Sequence, residues 1–122
     1  MKNFRDIKVW HKAHDLTLKV YKITETFPRE EIYGLTSQIR RAAASIPTNI
    51  AEGNGRSSDA ELARFLEIAF GSTSEVEYLL LLSKDLSLLD TSTYERINGE
   101  VIEIKRMLAT FIKTIRKPKD IR

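Results

Sequence analysis

Apolar residues recur along this chain at alternating intervals of three and four, in four separate stretches. In the first, Val9, Ala13, Leu16, Val20, Ile23 and Phe27 are spaced 4, 3, 4, 3 and 4, which gathers them on one face of a helix. The pattern predicts helix 1 from about Asp6 to Thr26, ended by Pro28 because the residue before a proline is pushed out of the helical region. Helix 2 is expected from Leu35 to Glu52, striped by Leu35, Ile39, Ala42, Ile46 and Ile50, with Gly53 and Gly55 closing it where a positive φ is tolerated. Helix 3 begins at Ser58, with Glu61 three residues on in the pattern of a capping box, and reaches about Leu86. Its stripe is Leu62, Leu66, Ala69, Val76, Leu80 and Ser83, while Phe65, Phe70, Tyr78, Leu79, Leu81 and Leu82 spill outside it. Helix 4 has a second candidate box, Ser92 with Glu95, a stripe of Tyr94, Ile97, Val101, Ile104, Leu108, Phe111 and Ile115, and a stop at Pro118. No stretch alternates with period two, so no strand is expected.

Short joints force neighbouring helices antiparallel. The expected fold is therefore all-α: an up-down-up-down antiparallel four-helix bundle over residues 1–117, followed by a short basic tail over 118–122. Pro47 interrupts helix 2 within RRAAASIPTNIAEG, residues 40–53. A new helix starting at Pro47 would have Ile46 as its cap, a poor choice. A continuous helix kinked at Pro47 is the better expectation. The ring removes the amide that would bond the Ala43 carbonyl, a penalty of about 3 kcal/mol unless offset. The Ser45 and Thr48 hydroxyls are close enough in sequence to bond freed backbone groups.

The net charge is only +3, but its distribution is uneven. Residues 1–26 carry six basic and three acidic groups, residues 57–104 three basic and ten acidic, and residues 105–122 seven basic and one acidic. In the expected topology the first helix begins where the last one ends. Lys2, Arg5, Lys8 and Lys12 then lie near Lys113, Arg116, Lys117, Lys119 and Arg122, with Arg56 of the 2–3 joint close by. This basic pole reads either as a solvated end complementing helix dipoles or as a docking surface for phosphate backbones. Arg40 and Arg41 lie level with helix 3, within a turn of Glu67 and Glu75. A structural ion pair between at least one of these arginines and a helix 3 glutamate is expected.

Candidate chemistry is sparse. The chain has no Cys, which excludes disulfides, thiol catalysis and Cys-ligated zinc and fits a reducing cytoplasm. His11, His14 and Asp15 share a helix, but no further His exists to complete a metal site. The run GNGRSSD lacks the Lys-Ser/Thr of a phosphate loop, and Glu67, Glu75 and Glu77 have no nucleophile or metal motif beside them. No enzyme activity, cofactor, metal or small-molecule substrate is expected. The N-terminus MKNFRDIKVWHK holds no signal-peptide run, and the longest aliphatic run, Leu79 to Leu82, is far short of the ~20 residues of a membrane span. A membrane-surface role for helix 1 is weakened by Asp6 and Asp15. The apolar residues off the helix 3 stripe, with Gly71 among them, suggest a second covered side and hence self-association. Trp10, Tyr21, Phe70, Gly71, Tyr78, Leu81 and Leu82 are the candidate interface residues.

The segments FRDIKVWHKAHDL, YGLTSQIRRAAASIPTNIAEGNGR and RFLEIAFGSTSEVEYLLLLSKDL resemble the bacterial four-helix bundle proteins known as 23S rRNA intervening-sequence proteins, over about residues 4–115. A more distant likeness is to the accessory protein of diversity-generating retroelements. The resemblance implies a four-helix bundle, a ring-like homopentamer and a weakly defined role in binding nucleic acid. It matches Arg40, Arg41, Ala42, Ser45, Pro47, Asn49, Glu52 and Gly53 as a shared structural element and supplies no catalytic residue; the tail KPKDIR is not placed by it. Two functions follow as expectations. One is sequence-tolerant RNA or DNA binding through the basic pole by an oligomeric, non-enzymatic bundle. The other is a protein-binding adaptor or scaffold without a nucleic-acid role.

Overall fold

Four helices fill most of residues 3–118, which the computed structural model describes: α1 Lys8–Ile23, α2 Leu35–Asn54, α3 Asp59–Asp85 and α4 Thr91–Arg116. No strand occurs among the described residues. Each stripe faces inward. Leu16 and Val20 of α1, Ile39, Ile46 and Ile50 of α2, Leu66, Val76 and Leu80 of α3, and Ile97, Val101, Ile104 and Leu108 of α4 are fully buried in one core. Burial of such side chains stabilises the fold by roughly 1.5–3 kcal/mol each before chain entropy is counted.

Contacts run α1–α2, α2–α3, α3–α4 and α4–α1. Along every contact, residue numbers rise on one helix as they fall on the next. Thr17 and Tyr21 of α1 meet Ala43 and Arg40 of α2, and Gln38 and Ser45 of α2 meet Glu75 and Ser72 of α3. Glu67 and Glu77 of α3 meet Arg116 and Lys105 of α4, and Lys12 and Lys19 of α1 meet Glu103 and Glu100 of α4. All four pairs are antiparallel, giving the up-down-up-down bundle.

Helix ends differ in detail from the spacing argument. Phe4–Asp6 form a separate 3-10 turn, because the Asn3 side chain caps it by accepting from the Arg5 amide at 2.9 Å and Ile7 is extended. Residues Thr24–Thr26 tighten into another 3-10 turn at the end of α1. The Ser58 hydroxyl caps α3 as expected, accepting from the Glu61 amide at 3.1 Å, while the Glu61 carboxylate faces Arg64. For α4 the expectation needs correction. The cap is Asp90, whose carboxylate accepts from the Thr93 amide at 2.7 Å, and Ser92 and Glu95 lie inside the helix. A carboxylate both bonds the orphan amide and complements the positive helix start, which a hydroxyl does not. Between α3 and α4, Ser87 adopts a left-handed φ of 63° while its amide reaches the Lys84 carbonyl and Leu88 reaches Ser83. That Schellman closure explains the short joint.

Gly53 does not act as a left-handed cap. No glycine among the described residues has positive φ, and α2 continues through Gly53 to Asn54. Its role is close approach: a Cβ there would meet Phe65 Cβ at 2.8 Å and Leu62 Cδ1 at 3.1 Å.

Helix α2 runs unbroken through Pro47. The freed Ala43 carbonyl is answered from the neighbouring helix, not from Ser45 or Thr48. Thr17 of α1 shares its hydroxyl proton between Ala13 O at 2.8 Å and Ala43 O at 3.1 Å. Thr48 bonds the Ala44 carbonyl at 2.8 Å, and Ser45 meets Ser72 of α3 at 2.9 Å.

Two stability measurements check this account. Thr17→Val is expected to destabilise by ~1–2 kcal/mol in urea unfolding, the penalty of an orphaned carbonyl. In a Pro47→Ala background, where an amide is restored, the same change is expected to cost less, so the two do not add. Gly53→Ala is expected to destabilise by ~1–3 kcal/mol, because the α2–α3 backbones are forced apart.

Candidate nucleic-acid interface

The antiparallel α1–α4 pair brings the chain's two basic segments together. Ile7, Lys8 and Val9 line a shallow groove with Arg106, Met107, Thr110 and Phe111. The α2–α3 joint reaches the same end, where Phe4 shares a second groove with Gly55 and Arg56. Arg5, Lys8, Lys12, Arg56, Lys113, Arg116 and Lys117 therefore belong to one end of the bundle. Lys2, Lys119 and Arg122 lie outside the described residues.

These cations are not equally free. Lys12 pairs with Glu103 at 3.2 Å, Arg56 with Glu52 at 2.9 Å and Arg116 with Glu67 at 2.6 Å. Arg56 also lies over the Phe65 ring and Arg5 over the Phe4 ring. Arg5, Lys8, Lys113 and Lys117 make no ion pair among the described residues. Arg106 joins them beside Lys8 and was missed from sequence, although its spacing of seven from Lys113 places both on one face of α4.

The expected pairing of Arg40 or Arg41 with Glu67 or Glu75 is corrected. Glu67 takes Arg116, and Glu75 accepts from Gln38 Nε2 at 3.3 Å. Arg40 turns to α1: its Nε donates to Thr24 Oγ1 at 2.8 Å, its Nη2 to the Tyr21 carbonyl at 3.3 Å, and its guanidinium covers the Tyr21 ring. Arg41 is exposed and makes no ion pair among the described residues. Level along the axis was legible, but direction around it was overlooked. Gln38 faces α3, and two residues further on, at about 100° each, Arg40 faces the opposite neighbour.

Three charged groups are perturbed, each by an exposed contact. The Arg116 hydrogen bond and charge hold the Glu67 carboxyl below its ordinary value, and Glu67 in turn raises Arg116. The Thr93 amide holds Asp90 low through the helix cap. None of the three marks a proton-transfer centre. Among the described residues no group of three or more His, Cys, Asp or Glu is arranged to hold a metal, and no helix is long and apolar enough to cross a membrane.

The candidate contact residues divide into two kinds. Tyr21, Tyr78 and Leu81 are exposed, Tyr78 to 59%. Gly71 is open, since an added Cβ would touch nothing within 4 Å. Phe70 and Leu82 pack in part against the core, and Lys105 lies over the Phe70 ring. Sequence reading missed Ile68 on α3, Leu18 midway along α1, and Ile32 and Tyr33 at the opposite end of the bundle, all exposed. Trp10 is half-buried: it stacks on His14 at 5.0 Å with planes 7° apart and meets Phe4 edge-on at 4.9 Å.

A family model described as 23S rRNA-intervening sequence protein matches residues 5–110. A solved structure of a protein with unknown function from the S23 ribosomal protein family, from Bacteroides thetaiotaomicron, is similar at 29% identity with a TM-score of 0.78. The match covers 86% of this chain and 98% of that one. No curated protein matches the chain.

Glu67 and Asp90 bind protons less readily folded than unfolded, so the unfolded chain takes up more protons as pH drops. The stability they contribute is present above the ordinary carboxylate range and is lost as pH falls through their lowered folded values. Denaturation midpoints measured from pH 7 down to about pH 3 are expected to fall less steeply in Glu67→Gln and Asp90→Asn than in the parent.

Proposed function

We propose that this chain, which belongs to the 23S rRNA-intervening sequence protein family, is a non-enzymatic, self-associating bundle that binds RNA or DNA through its basic pole. The observation that carries the reading is the gathering of Lys8 and Arg106 on one groove, with Lys113 beyond them on α4, Lys117 at its C-cap, and no carboxylate among the described residues paired to any of the four. Unpaired ammonium and guanidinium groups contact phosphates regardless of base sequence, and binding releases counterions. The family's name ties its members to ribosomal RNA genes, in keeping with a polyanion ligand.

Self-association multiplies that charge. The exposed Ile68, Tyr78 and Leu81 on α3 offer an apolar face for a second copy, with Gly71 allowing close approach. In a ring of aligned subunits, such as the homopentamer implied by the resemblance, each basic pole adds to one positive face. A protein-binding scaffold is the second reading. It is favoured by the α1–α2 joint, where Tyr33 is 97% exposed beside exposed Ile32.

Affinity for mixed-sequence RNA and duplex DNA is expected to fall steeply between about 50 and 300 mM salt. Lys113→Glu with Lys117→Glu is expected to weaken both ligands alike and to reduce the salt slope by about two. Absence of binding at the lowest salt would end the nucleic-acid reading. A protein partner retained after nuclease treatment would support the scaffold.

A further inference from the structure

We infer that the groove between α1 and α2 receives an unpaired nucleobase, which makes single-stranded RNA or DNA the preferred ligand. The inference rests on the polyanion reading above and adds to it a choice between strand forms.

The groove measures about 770 Å³ and is open to solvent along one side. Its α1 wall is aromatic. His14, one turn on from Trp10, stacks on its ring, and Phe4 meets Trp10 edge-on at the end of the groove. Its α2 floor is the strip Ala44, Pro47, Thr48 and Ala51, small side chains at helical spacing that leave a flat, shallow bed. Aromatic rings beside a floor of small, largely apolar side chains suit a flat π-system, and every base has such a face.

Charge complements the shape. Arg56 lines one end of the groove, and the Arg5 guanidinium lies 4.6 Å over the ring of Phe4, which lines it too. Both sit at the basic pole, where the flanking phosphates of a strand would run. Glu52 also lines the groove and pairs with Arg56 at 2.9 Å, so those two charges offset each other and Arg5 is the cation beside the groove without an ion pair among the described residues. The hydroxyl hydrogens in the floor and wall are committed: Thr17 donates to the Ala13 and Ala43 carbonyls and Thr48 to that of Ala44. The two hydroxyl protons are therefore not available to read base edges, which makes recognition a matter of stacking more than sequence. Bases inside a duplex have both faces covered and gain nothing from this groove.

Trp10 is the one tryptophan in the chain, so its fluorescence reports on the groove directly. The full-length protein is titrated with oligouridine of about 12 nucleotides, an abasic strand of equal length and charge, and a duplex of the same length. Oligouridine is expected to quench Trp10 and to bind about tenfold tighter than the abasic strand. Thr48→Leu fills the floor at an exposed position without changing charge, and is expected to abolish that difference while leaving abasic affinity intact. Equal affinity for all three ligands with unchanged Trp10 emission overturns the groove and leaves the basic pole standing. No binding of any ligand overturns both. Trp10 emission that ignores nucleic acid but shifts to the blue as protein concentration rises assigns the groove to a second copy of the chain, and overturns the inference.

Discussion

A proline inside a buried helix leaves one carbonyl without its partner, and in this bundle the missing proton comes from the next helix. The Thr17 hydroxyl on the Ala43 carbonyl lets α2 pass through Pro47 without ending. The rest of the architecture follows from that continuity. An unbroken α2 carries Gly53 down to Phe65, where the lack of a side chain lets α2 and α3 close on each other. It also sets Arg56 at the same end as the start of α1 and makes Pro47 part of the floor beside Trp10 and His14. One hydroxyl therefore joins the opening of the chain, the tightest helix pair and the candidate interface.

What the sequence made legible was whatever depends on periodicity. Val9, Leu16, Ile39, Ile50, Leu66, Leu80, Val101 and Leu108 were all placed inward by spacing alone, and all are buried. Periodicity works here because each helix has one core face and short joints leave little choice of topology. Direction around the helix was harder wherever two neighbours compete for a side chain, which is why Arg40 was assigned to α3 and lies against α1. Capping by Asp90 was hidden by a nearby serine with the right spacing. Thr17 was invisible as a proline partner, because its acceptor lies 26 residues away. The cluster of Phe4, Trp10 and His14 was likewise out of reach, since it depends on a 3-10 turn doubling back beside α1.

The electrostatics are more restrained than the charge count suggested. The described parts of the two basic segments do meet along α1 and α4, but Lys12 and Arg116, with Arg56 at the same pole, each face a carboxylate. These exposed pairs contribute little stability. Their larger effect is to leave Arg5, Lys8, Arg106, Lys113 and Lys117 as the cations near this pole without an ion pair among the described residues. The family relationship and the structural likeness place the fold among the 23S rRNA-intervening sequence proteins. The chemistry of the site comes instead from the particular cations left over after the bundle has satisfied its own ion pairs.

Helices α1, α2 and α3 pack on sequence neighbours, whereas the α1–α4 contact joins the two ends of the bundle. A ribosome releases the chain from its N-terminus onward. Lys113 and Lys117 thus leave the exit tunnel after all of α1, α2 and α3. The cationic face is therefore absent while only the first three helices have emerged, and comes into being when the fourth swings back against the first.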